Sequence, residues 1–259
     1  MNDALYIAAT GMQSQQLNVD TIANNMANAT TPGFKRGRVN FQDLMYRDPG
    51  AATARLDATG TASVTHGSGV GIGSVLKFFG AGELTPSDNP LDLAVRGDGF
   101  LEVQLADGST GYWRGGALQV TAEGWLATAD GNVLKPQIQV GRDGRPWAIA
   151  NDGRVSGRDS AGRSFELGRL DLHTFSNPSG LKALGGNVYR PTEDSGDSIV
   201  ARPGVDGAAT LVQGAQEQAN VKLVDEMVNL MMAQRAYEMN VKVIQAADEM
   251  LGMSNNLRK

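Results

Sequence analysis

The chain has 259 residues, 41% of them hydrophobic, and a formal net charge of −5; such a chain can build one large or two modest domains with a real core. The negative charge argues against nucleic acid as the principal partner, and the longest apolar runs are too short for membrane insertion. The sequence contains no cysteine, which excludes disulfides, thiolate metal sites and cysteine nucleophiles.

Residues 1–33 carry apolar positions at alternating steps of three and four, which average the 3.5-residue repeat of a coiled-coil seam. This spacing predicts a long helix that packs its seam against another helix. We expect the helix to stop at Thr30-Thr31-Pro32-Gly33, because proline disfavours a helical residue before it and glycine readily adopts turn conformations. Asp3 stands where a signal peptide is basic, so we expect no signal peptide. The seam consists of Leu5, Ala8, Met12, Gln15, Val19, Ile22, Met26 and Ala29.

Residues 34–73 are predicted to form an extended or linker segment. The segment opens with a basic cluster at Lys35, Arg36 and Arg38, most simply a solvated turn, with pairing to acidic neighbours in an assembly as the alternative. A short amphipathic stretch at 41–46 follows. The residues after it are mainly alanine, threonine, glycine and serine, which have little to bury. The segment is therefore a linker, or a strand pair that gains order only on assembly.

Residues 74–214 show a period of two. Apolar and polar side chains alternate in Leu101–Leu105, as a half-buried strand requires. Asp-Gly pairs tolerate the positive φ angles of tight hairpin turns, so their repetition predicts a central antiparallel, hairpin-rich β domain. The apolar phase slips by one residue across Gly168, which predicts a β-bulge there. The Asp-Gly pairs lie at 98/99, 107/108, 130/131, 143/144, 152/153 and 206/207.

Residues 215–259 repeat the pattern of the N-terminus and predict a second long helix, which begins between about Glu217 and Val221. Polar residues at the seam positions Gln15, Gln234 and Asp248 cost stability but fix register and partner number, which favours specific association. The predicted fold class is α+β, with long N- and C-terminal helices forming a coiled-coil-like element and a central antiparallel β domain. The second seam consists of Leu223, Met227, Leu230, Gln234, Tyr237, Val241, Ile244, Asp248 and Leu251.

The sequence offers little catalytic chemistry. His66 and His173 are its two histidines, and neither stands in a metal-ligand spacing such as H-E-x-x-H. The glycine-rich stretch at 67–74 fits neither G-x-G-x-x-G nor the P-loop, and a strand is expected after it where a phosphate site needs a helix. We therefore predict no catalytic, cofactor or metal site, and a protein that is not an enzyme.

Short motifs at both ends and at the start of the central domain carry a family resemblance. The motifs are Ala8-Ala9-Thr10-Gly11-Met12, Asn18-Val19-Asp20-Thr21-Ile22-Ala23-Asn24-Asn25-Met26-Ala27-Asn28, Thr31-Pro32-Gly33-Phe34-Lys35, Leu91-Asp92-Leu93-Ala94-Val95-Arg96-Gly97-Asp98-Gly99-Phe100, Asn220-Val221, Asp225-Glu226-Met227 and Gln234-Arg235-Ala236-Tyr237-Glu238-Met239-Asn240. Together they resemble the signatures of the flagellar basal-body rod and hook family, and they extend over nearly the whole chain.

Within that family, a single central β domain implies a rod member, and the segment from Phe41 to Gly73 most resembles that of the distal rod. The resemblance implies a structural subunit that self-assembles through its terminal helices into a rigid tubular drive shaft. It also implies 1–33 and 215–259 as assembly domains. The expected interface residues are Leu5, Met12, Val19, Ile22, Met26, Leu223, Met227, Leu230, Tyr237, Val241, Ile244 and Leu251.

The resemblance further implies partners and a location. The partners are other copies in a helical homopolymer, other rod proteins, the hook protein, the surrounding ring proteins and the flagellar export apparatus. The implied location is the periplasm-spanning rod of the basal body, reached through the flagellum's own type III channel. Phe41 and Met45 resemble the short hydrophobic motif that engages the export gate; the alternative is simple packing of an amphipathic turn.

Other functions stay open at this point. The first is a proximal rod protein of the same family. The second, from another class, is a secreted carbohydrate-active or carbohydrate-binding β domain, which would present a cleft with paired carboxylates. An adhesin or scaffold would instead be a stable monomer with both helices packed. A structural assembly protein would form concentration-dependent filaments and show no turnover.

Overall fold

The computed structural model describes residues 2–46, 66–140, 147–158, 163–205 and 209–256. Much of the predicted linker, residues 47–65, lies outside the described residues, as do the Asp-Gly pairs at 143/144 and 206/207. No helix within the described ranges is long and apolar enough to cross a membrane.

The chain divides into two compact units. The first, which we call the helical unit, consists of Met1–Ala27, Gly37–Leu76 and Lys222–Lys259. The second, which we call the β unit, consists of Asn28–Arg36 and Lys77–Val221. The chain therefore passes from one unit to the other four times.

The helical unit contains both long helices. Helix α1 spans Asn2–Ala27 and contacts helix α2, which spans Leu223–Asn256. Acidic residues in the first turn of α2 complement the positive end of its dipole. Strands β1 (Gly37–Tyr46) and β2 (His66–Lys77) pair in a two-stranded sheet, and β1 also contacts α1. Lys77, the last residue of β2, already belongs to the β unit.

The β unit carries sixteen further strands in the described chain, and every pairing observed among them is antiparallel. This confirms the coarse prediction of an α+β chain with an antiparallel β domain. The strands are β3 (Leu84–Pro86), β4 (Asp92–Arg96), β5 (Phe100–Gln104), β6 (Thr110–Trp113), β7 (Gly115–Val120), β8 (Leu126–Thr128), β9 (Val133–Leu134), β10 (Trp147–Ile149), β11 (Arg154–Arg158), β12 (Ser164–Arg169), β13 (Leu172–Thr174), β14 (Lys182–Gly185), β15 (Val188–Arg190), β16 (Ile199–Ala201), β17 (Thr210–Gln213) and β18 (Ala215–Glu217).

The strands form three sheets. The largest follows the order β14-β15-β6-β5-β9-β8-β7-β4-β17, and β13 joins it by pairing with β5 and with β16. Strands β10, β11 and β12 form a second sheet, and β18 pairs with β3 in a third. Strand β18 includes the first residues of the segment predicted as the C-terminal helical domain, and α2 begins after it at Leu223.

Two clusters of buried side chains form the core of the β unit. The larger is aliphatic and includes Leu101 and Val103, which point inward from β5 while Glu102 and Gln104 are only partly buried. This confirms the alternation predicted for that strand. The smaller cluster holds its rings edge to face, a favourable geometry for aromatic pairs. Its members are Phe79, Phe100, Tyr112, Phe175, Leu181 and Tyr189.

Three of the four described Asp-Gly pairs form the predicted hairpin turns, and the prediction is wrong for 98/99, because β4 and β5 do not pair and the positive φ falls on Gly97 instead of Gly99. Asp-Gly pairs at 107/108, 130/131 and 152/153 connect β5 to β6, β8 to β9 and β10 to β11, and the glycine of each pair has a positive φ. The predicted bulge is also present, because Val155 faces Gly168 while Ser156 faces Glu166, which leaves Leu167 unmatched. These local signals therefore encode much of the hairpin pattern.

Candidate assembly surface

The predicted seam of α1 lies against other parts of the helical unit. Ile22 is 5% exposed, and Leu5, Met12, Val19 and Met26 are half-buried. Helix α1 thus covers its apolar stripe in the isolated chain.

Helix α2 buries a face one position away from its predicted seam. Glu226, Ala233 and Ala247 are buried, and each directly precedes a predicted seam residue. Small alanine side chains on this face allow a close approach between helices. A Cβ added at Gly11 of α1 would lie 2.9 Å from the Nδ2 atom of Asn240, which indicates the same tight packing.

The predicted seam of α2 is therefore only partly covered. Leu230, Val241, Ile244 and Leu251 are half-buried, and the polar seam positions Gln234 and Asp248 are exposed. The other predicted positions belong to a larger set of exposed apolar side chains. Exposed apolar surface of this extent is typical of an interaction site, and flexible methionine side chains adapt to varied partners. The set, which we call the α2 apolar row, extends around more than one face of the helix and consists of Leu223, Val224, Met227, Val228, Met231, Met232, Tyr237, Met239, Val243, Met250 and Met253.

The export-motif candidates lie on β1. Phe41 is 38% exposed and Met45 is 62% exposed, and Leu44 between them is also exposed. The stretch is thus a strand with accessible apolar side chains, and its role in export stays a prediction.

A buried polar contact ties α1, β1 and α2 together within the helical unit. The backbone N–H of Gly37 donates to Oδ1 of Asn25 at 2.8 Å, and Nδ2 of Asn25 donates to the Gly37 carbonyl at 2.9 Å. The same Nδ2 donates to Oε2 of Glu226 at 3.3 Å. Both side chains are nearly inaccessible, so their hydrogen bonds fix the relative position of three elements in an apolar setting.

A buried charged cluster lies in the β unit. Nζ of Lys35 donates to Oε1 of Glu217 at 2.7 Å and to the Gly80 carbonyl at 2.9 Å. Nε of Arg114 lies 3.4 Å from Oε2 of Glu217. Burial lowers the pKa of Lys35 below its usual 10.5, although its hydrogen bond to Glu217 and the charge of that carboxylate act in the opposite direction. One carboxylate therefore serves two buried cations.

This cluster corrects the sequence-based view of Lys35 as part of a solvated turn. Lys35 is 1% exposed, because its carboxylate partner comes from a strand 182 residues further along the chain. Arg38 is exposed and Arg36 is half-buried, so the solvated description fits Arg38 best. The expected pairing with an acidic neighbour occurs, but inside one chain.

Neither histidine is part of a metal-ligand set in the described chain, where no group of three or more His, Cys, Asp or Glu residues could hold a metal. Nε2 of His173 lies 3.3 Å from Oε2 of Glu102, and its buried Nδ1 has no hydrogen-bond partner among the described residues. Burial lowers the pKa of His173 below 6.5, against the opposing charges of Glu102 and Asp171. His173 is thus a buried, mainly neutral side chain near neutral pH.

Sequence reasoning missed Asn25, Glu226 and Glu217, which hold the buried polar contacts. Asn25 and Glu226 stand within family motifs, and Asn25 directly precedes the seam residue Met26. The position of the polar Asn25 beside an apolar seam could have indicated a buried hydrogen bond. The sequence could not identify the partner of Asn25, because Glu226 is 201 residues away.

Comparison with known protein families covers most of the chain. Residues 5–35 match the family model "Flagella basal body rod protein". Residues 94–157 match "Flagellar hook protein FlgE/F/G D1 domain". Residues 212–257 match "Flagellar basal body rod FlgEFG protein C-terminal".

Full-length relatives carry related names. The chain is 38% identical over 267 aligned residues to a flagellar basal-body rod protein FlgG of Borreliella burgdorferi, with all of both chains covered. It is 40% identical to a protein of the same name in Caulobacter vibrioides, with 98% of this chain and 99% of the relative covered. A flagellar basal-body rod protein FlgF of Caulobacter vibrioides is 32% identical, with 96% and 95% covered.

Replacing Asn25 by alanine should destabilise the helical unit, because it leaves Gly37 without its two hydrogen bonds to the amide. Each buried polar group left unsatisfied costs about 1–3 kcal/mol. Thermal melts followed by far-UV circular dichroism should show earlier loss of helix in Asn25→Ala than in the control Gln16→Ala, which truncates an exposed amide side chain of the same helix. Equal melts for the two variants would contradict the assigned role of Asn25.

The stability of the β unit should fall on mild acidification because of His173. A lowered folded-state pKa means that the unfolded chain binds the proton more readily, so the free energy of unfolding decreases as pH falls below about 6.5. The melting temperature should therefore drop between about pH 7.5 and pH 5.5, and His173→Gln should reduce that drop. His66→Gln, which removes the other histidine, serves as the control; an undiminished drop in His173→Gln would refute the prediction.

Proposed function

The chain belongs to the family of flagellar basal-body rod proteins and is a structural rod subunit of the FlgG type, and we propose that it polymerises through its terminal helices to form the distal part of the rod. The exposure of the α2 apolar row is the observation that supports polymerisation. The location in a rod follows from the family, since the relatives are named flagellar basal-body rod proteins.

The α2 apolar row supports assembly on energetic grounds. Met227 is 53% exposed, and Met232 and Met239 are exposed further. Burying one large apolar side chain completely contributes about 1.5–3 kcal/mol, so a row of them favours association strongly. The occupant we propose is the helical unit of a neighbouring copy, because a homopolymer supplies a complementary helix in every subunit.

The contact between copies must be heterologous for a rod to grow. A contact between two different patches of identical subunits does not close on itself, and repetition of that contact builds a helical tube. We propose that α1 and α2 pair as a coiled-coil-like element and that the predicted seam residues lie at the interfaces of the tube. The half-buried Leu230, Val241 and Ile244 would serve the pairing within one chain, while the exposed positions would serve neighbouring copies.

The chain divides into segments that suit assembly through the terminal helices. We propose residues 1–33 and 215–259 as assembly domains, 34–73 as the segment between the first of them and the centre, and 74–214 as the central domain. Strands β1 and β2 give the described part of the middle segment an extended conformation, in agreement with its composition. The central domain has its own buried core, so it does not depend on assembly for stability.

We also propose the partners and the route that the family resemblance implies. The partners are other rod proteins, the hook protein, the surrounding rings and the flagellar export apparatus, and the location is the periplasm-spanning rod. Exposure of Phe41 and Met45 on β1 is consistent with recognition at the export gate, since a short apolar motif must be accessible to be bound.

The proximal rod is the second candidate position. A relative from Caulobacter vibrioides, named flagellar basal-body rod protein FlgF, also aligns over nearly the full chain, so family membership alone does not fix the position in the rod. The identity to that relative is 32%, against 40% for the FlgG relative of the same organism. This difference favours the FlgG type, and the resemblance of the segment from Phe41 to Gly73 to that of the distal rod supports the distal position.

Replacing Met227 by aspartate should abolish polymerisation without affecting the monomer. The new charge is solvated in the isolated chain but would be desolvated without a partner in the proposed interface, which is strongly unfavourable. Sedimentation and electron microscopy should show no polymers of Met227→Asp at concentrations where the wild type assembles, while the thermal melts of the two monomers coincide.

Asn229→Asp is the matched control for this experiment. Asn229 is exposed, and the substitution adds the same charge to another position of the same helix, outside the apolar row. Asn229→Asp should therefore polymerise. Normal assembly of Met227→Asp would contradict the proposed role of the row.

A further inference from the structure

Three separate stretches of the β unit meet in what we call the junction: residues 33–36, 77–83 and 217–220. Their backbones are joined by hydrogen bonds. The N–H of Gly33 donates to the Glu217 carbonyl at 2.6 Å, and the N–H of Phe78 donates to the Arg36 carbonyl at 3.0 Å. The N–H of Gln218 donates to the Glu83 carbonyl at 2.8 Å. The junction is thus an ordered element with strand-like pairing, although parts of it lie outside the named strands.

The side chain of Glu217 connects all parts of the junction. Its Oε1 accepts hydrogen bonds from Nζ of Lys35 at 2.7 Å and from the N–H of Gly82 at 2.9 Å. Its Oε2 faces Nε of Arg114. The guanidinium group of Arg114 donates to the carbonyls of Gly99 at 2.7 Å and Gly97 at 2.6 Å, which attaches the cluster to the connection between β4 and β5.

Asn220 adds a second set of links between the same stretches. Its Oδ1 accepts from the N–H of Arg36 at 2.8 Å. Its Nδ2 donates to the carbonyls of Phe78 at 2.8 Å and Gly80 at 3.1 Å. Nζ of Lys77 donates to the Lys35 carbonyl at 3.0 Å. The amide and ammonium groups therefore satisfy backbone groups that no strand ladder pairs.

The backbones of 77–83 and 217–220 are closely packed at the point where the two stretches meet. A Cβ built on Gly82 would overlap the carbonyl oxygen of Gln218 and approach the Glu217 side chain. A Cβ built on Gly80, two residues earlier, would meet nothing within 4 Å. The close packing is thus specific to the point where 77–83 meets 217–220.

The junction lies close in sequence to the points where the chain passes between the two units. The chain passes between the two units at 27–28, 36–37, 76–77 and 221–222. Two of these four crossings directly adjoin a junction stretch, the third begins one residue after Asn220, and the fourth ends five residues before Gly33. Every covalent connection that could carry force between the units therefore begins at or near this element.

We propose that Glu217 is a positioning residue that locks the three junction stretches to one another, so that the connections toward the helical unit leave the β unit from a rigid base and not from flexible linkers. A buried ionic cluster suits this task, because charges that have lost their water shell require specific partners and geometry, whereas an apolar contact tolerates sliding. If the chain polymerises as proposed above, the stiffness of the polymer depends on Glu217.

The first arm of the test uses the full-length monomer and amide hydrogen exchange. Glu217→Gln leaves two buried cations without a carboxylate, so exchange at the N–H groups of Gly33, Gly82 and Gln218 should accelerate about tenfold or more, while β5 amides stay protected. Gly82→Ala should have the same local effect without uncovering a charge. The matched controls are Glu166→Gln, at an exposed carboxylate, and Gly80→Ala; unchanged junction exchange in Glu217→Gln or Gly82→Ala would overturn the proposal.

The second arm measures the persistence length of the polymers. Glu217→Gln and Gly82→Ala polymers should have a shorter persistence length than wild type. Leu101→Ala, a truncation in the core of the β unit with a comparable loss in melting temperature, should leave the persistence length unchanged. Equal stiffness of wild-type and Glu217→Gln polymers, or equal softening by Leu101→Ala, would overturn the inference. Failure of the wild type to polymerise would instead refute the proposed function, and the exchange arm would still decide whether Glu217 locks the junction.

Discussion

The buried carboxylate of Glu217 is the interaction on which the arrangement of the β unit's outgoing segments depends. It binds Lys35 from the stretch after α1, Gly82 from the stretch after β2 and Arg114 from the connection between β6 and β7. Removing one partner of such a group costs about 3–5 kcal/mol, because the others are left as buried charges. The cluster therefore makes segments that are far apart in sequence behave as one structural element.

The two units differ in how much of their apolar side-chain surface they bury. The β unit buries its large aliphatic side chains and forms an aromatic cluster beside them, so we expect it to be stable without neighbouring copies. The helical unit covers the seam of α1 but leaves the α2 apolar row in water, and it fixes its own elements through the buried contact of Asn25 with Gly37 and Glu226. This division is typical of an assembly protein, in which one part is stable alone and another is completed by neighbours.

The sequence predicted the features that local patterns encode and missed those that depend on distant partners. Alternating apolar steps identified both long helices, and Asp-Gly pairs and the slip at Gly168 identified turns and the bulge. Periodicity could not select the buried face of α2, because Ala233 and Ala247 are small, while larger apolar side chains such as Tyr237 follow the 3.5-residue repeat of the predicted seam. The burial of Lys35 was equally hidden, since the partner that compensates its charge is remote in sequence. The glutamate and asparagine residues of the buried contacts look like ordinary surface residues until the fold brings their partners together.

We propose that the terminal helices hold the rod together. The most direct test is a cryo-EM reconstruction, at side-chain resolution, of polymers of the purified wild-type chain. If the helices hold the rod together, Met227, Met231 and Met239 of the α2 apolar row will be buried against helices of neighbouring copies, and the β units will keep the core described above. A polymer in which these side chains face solvent, while the β units make the contacts between subunits, would contradict the account.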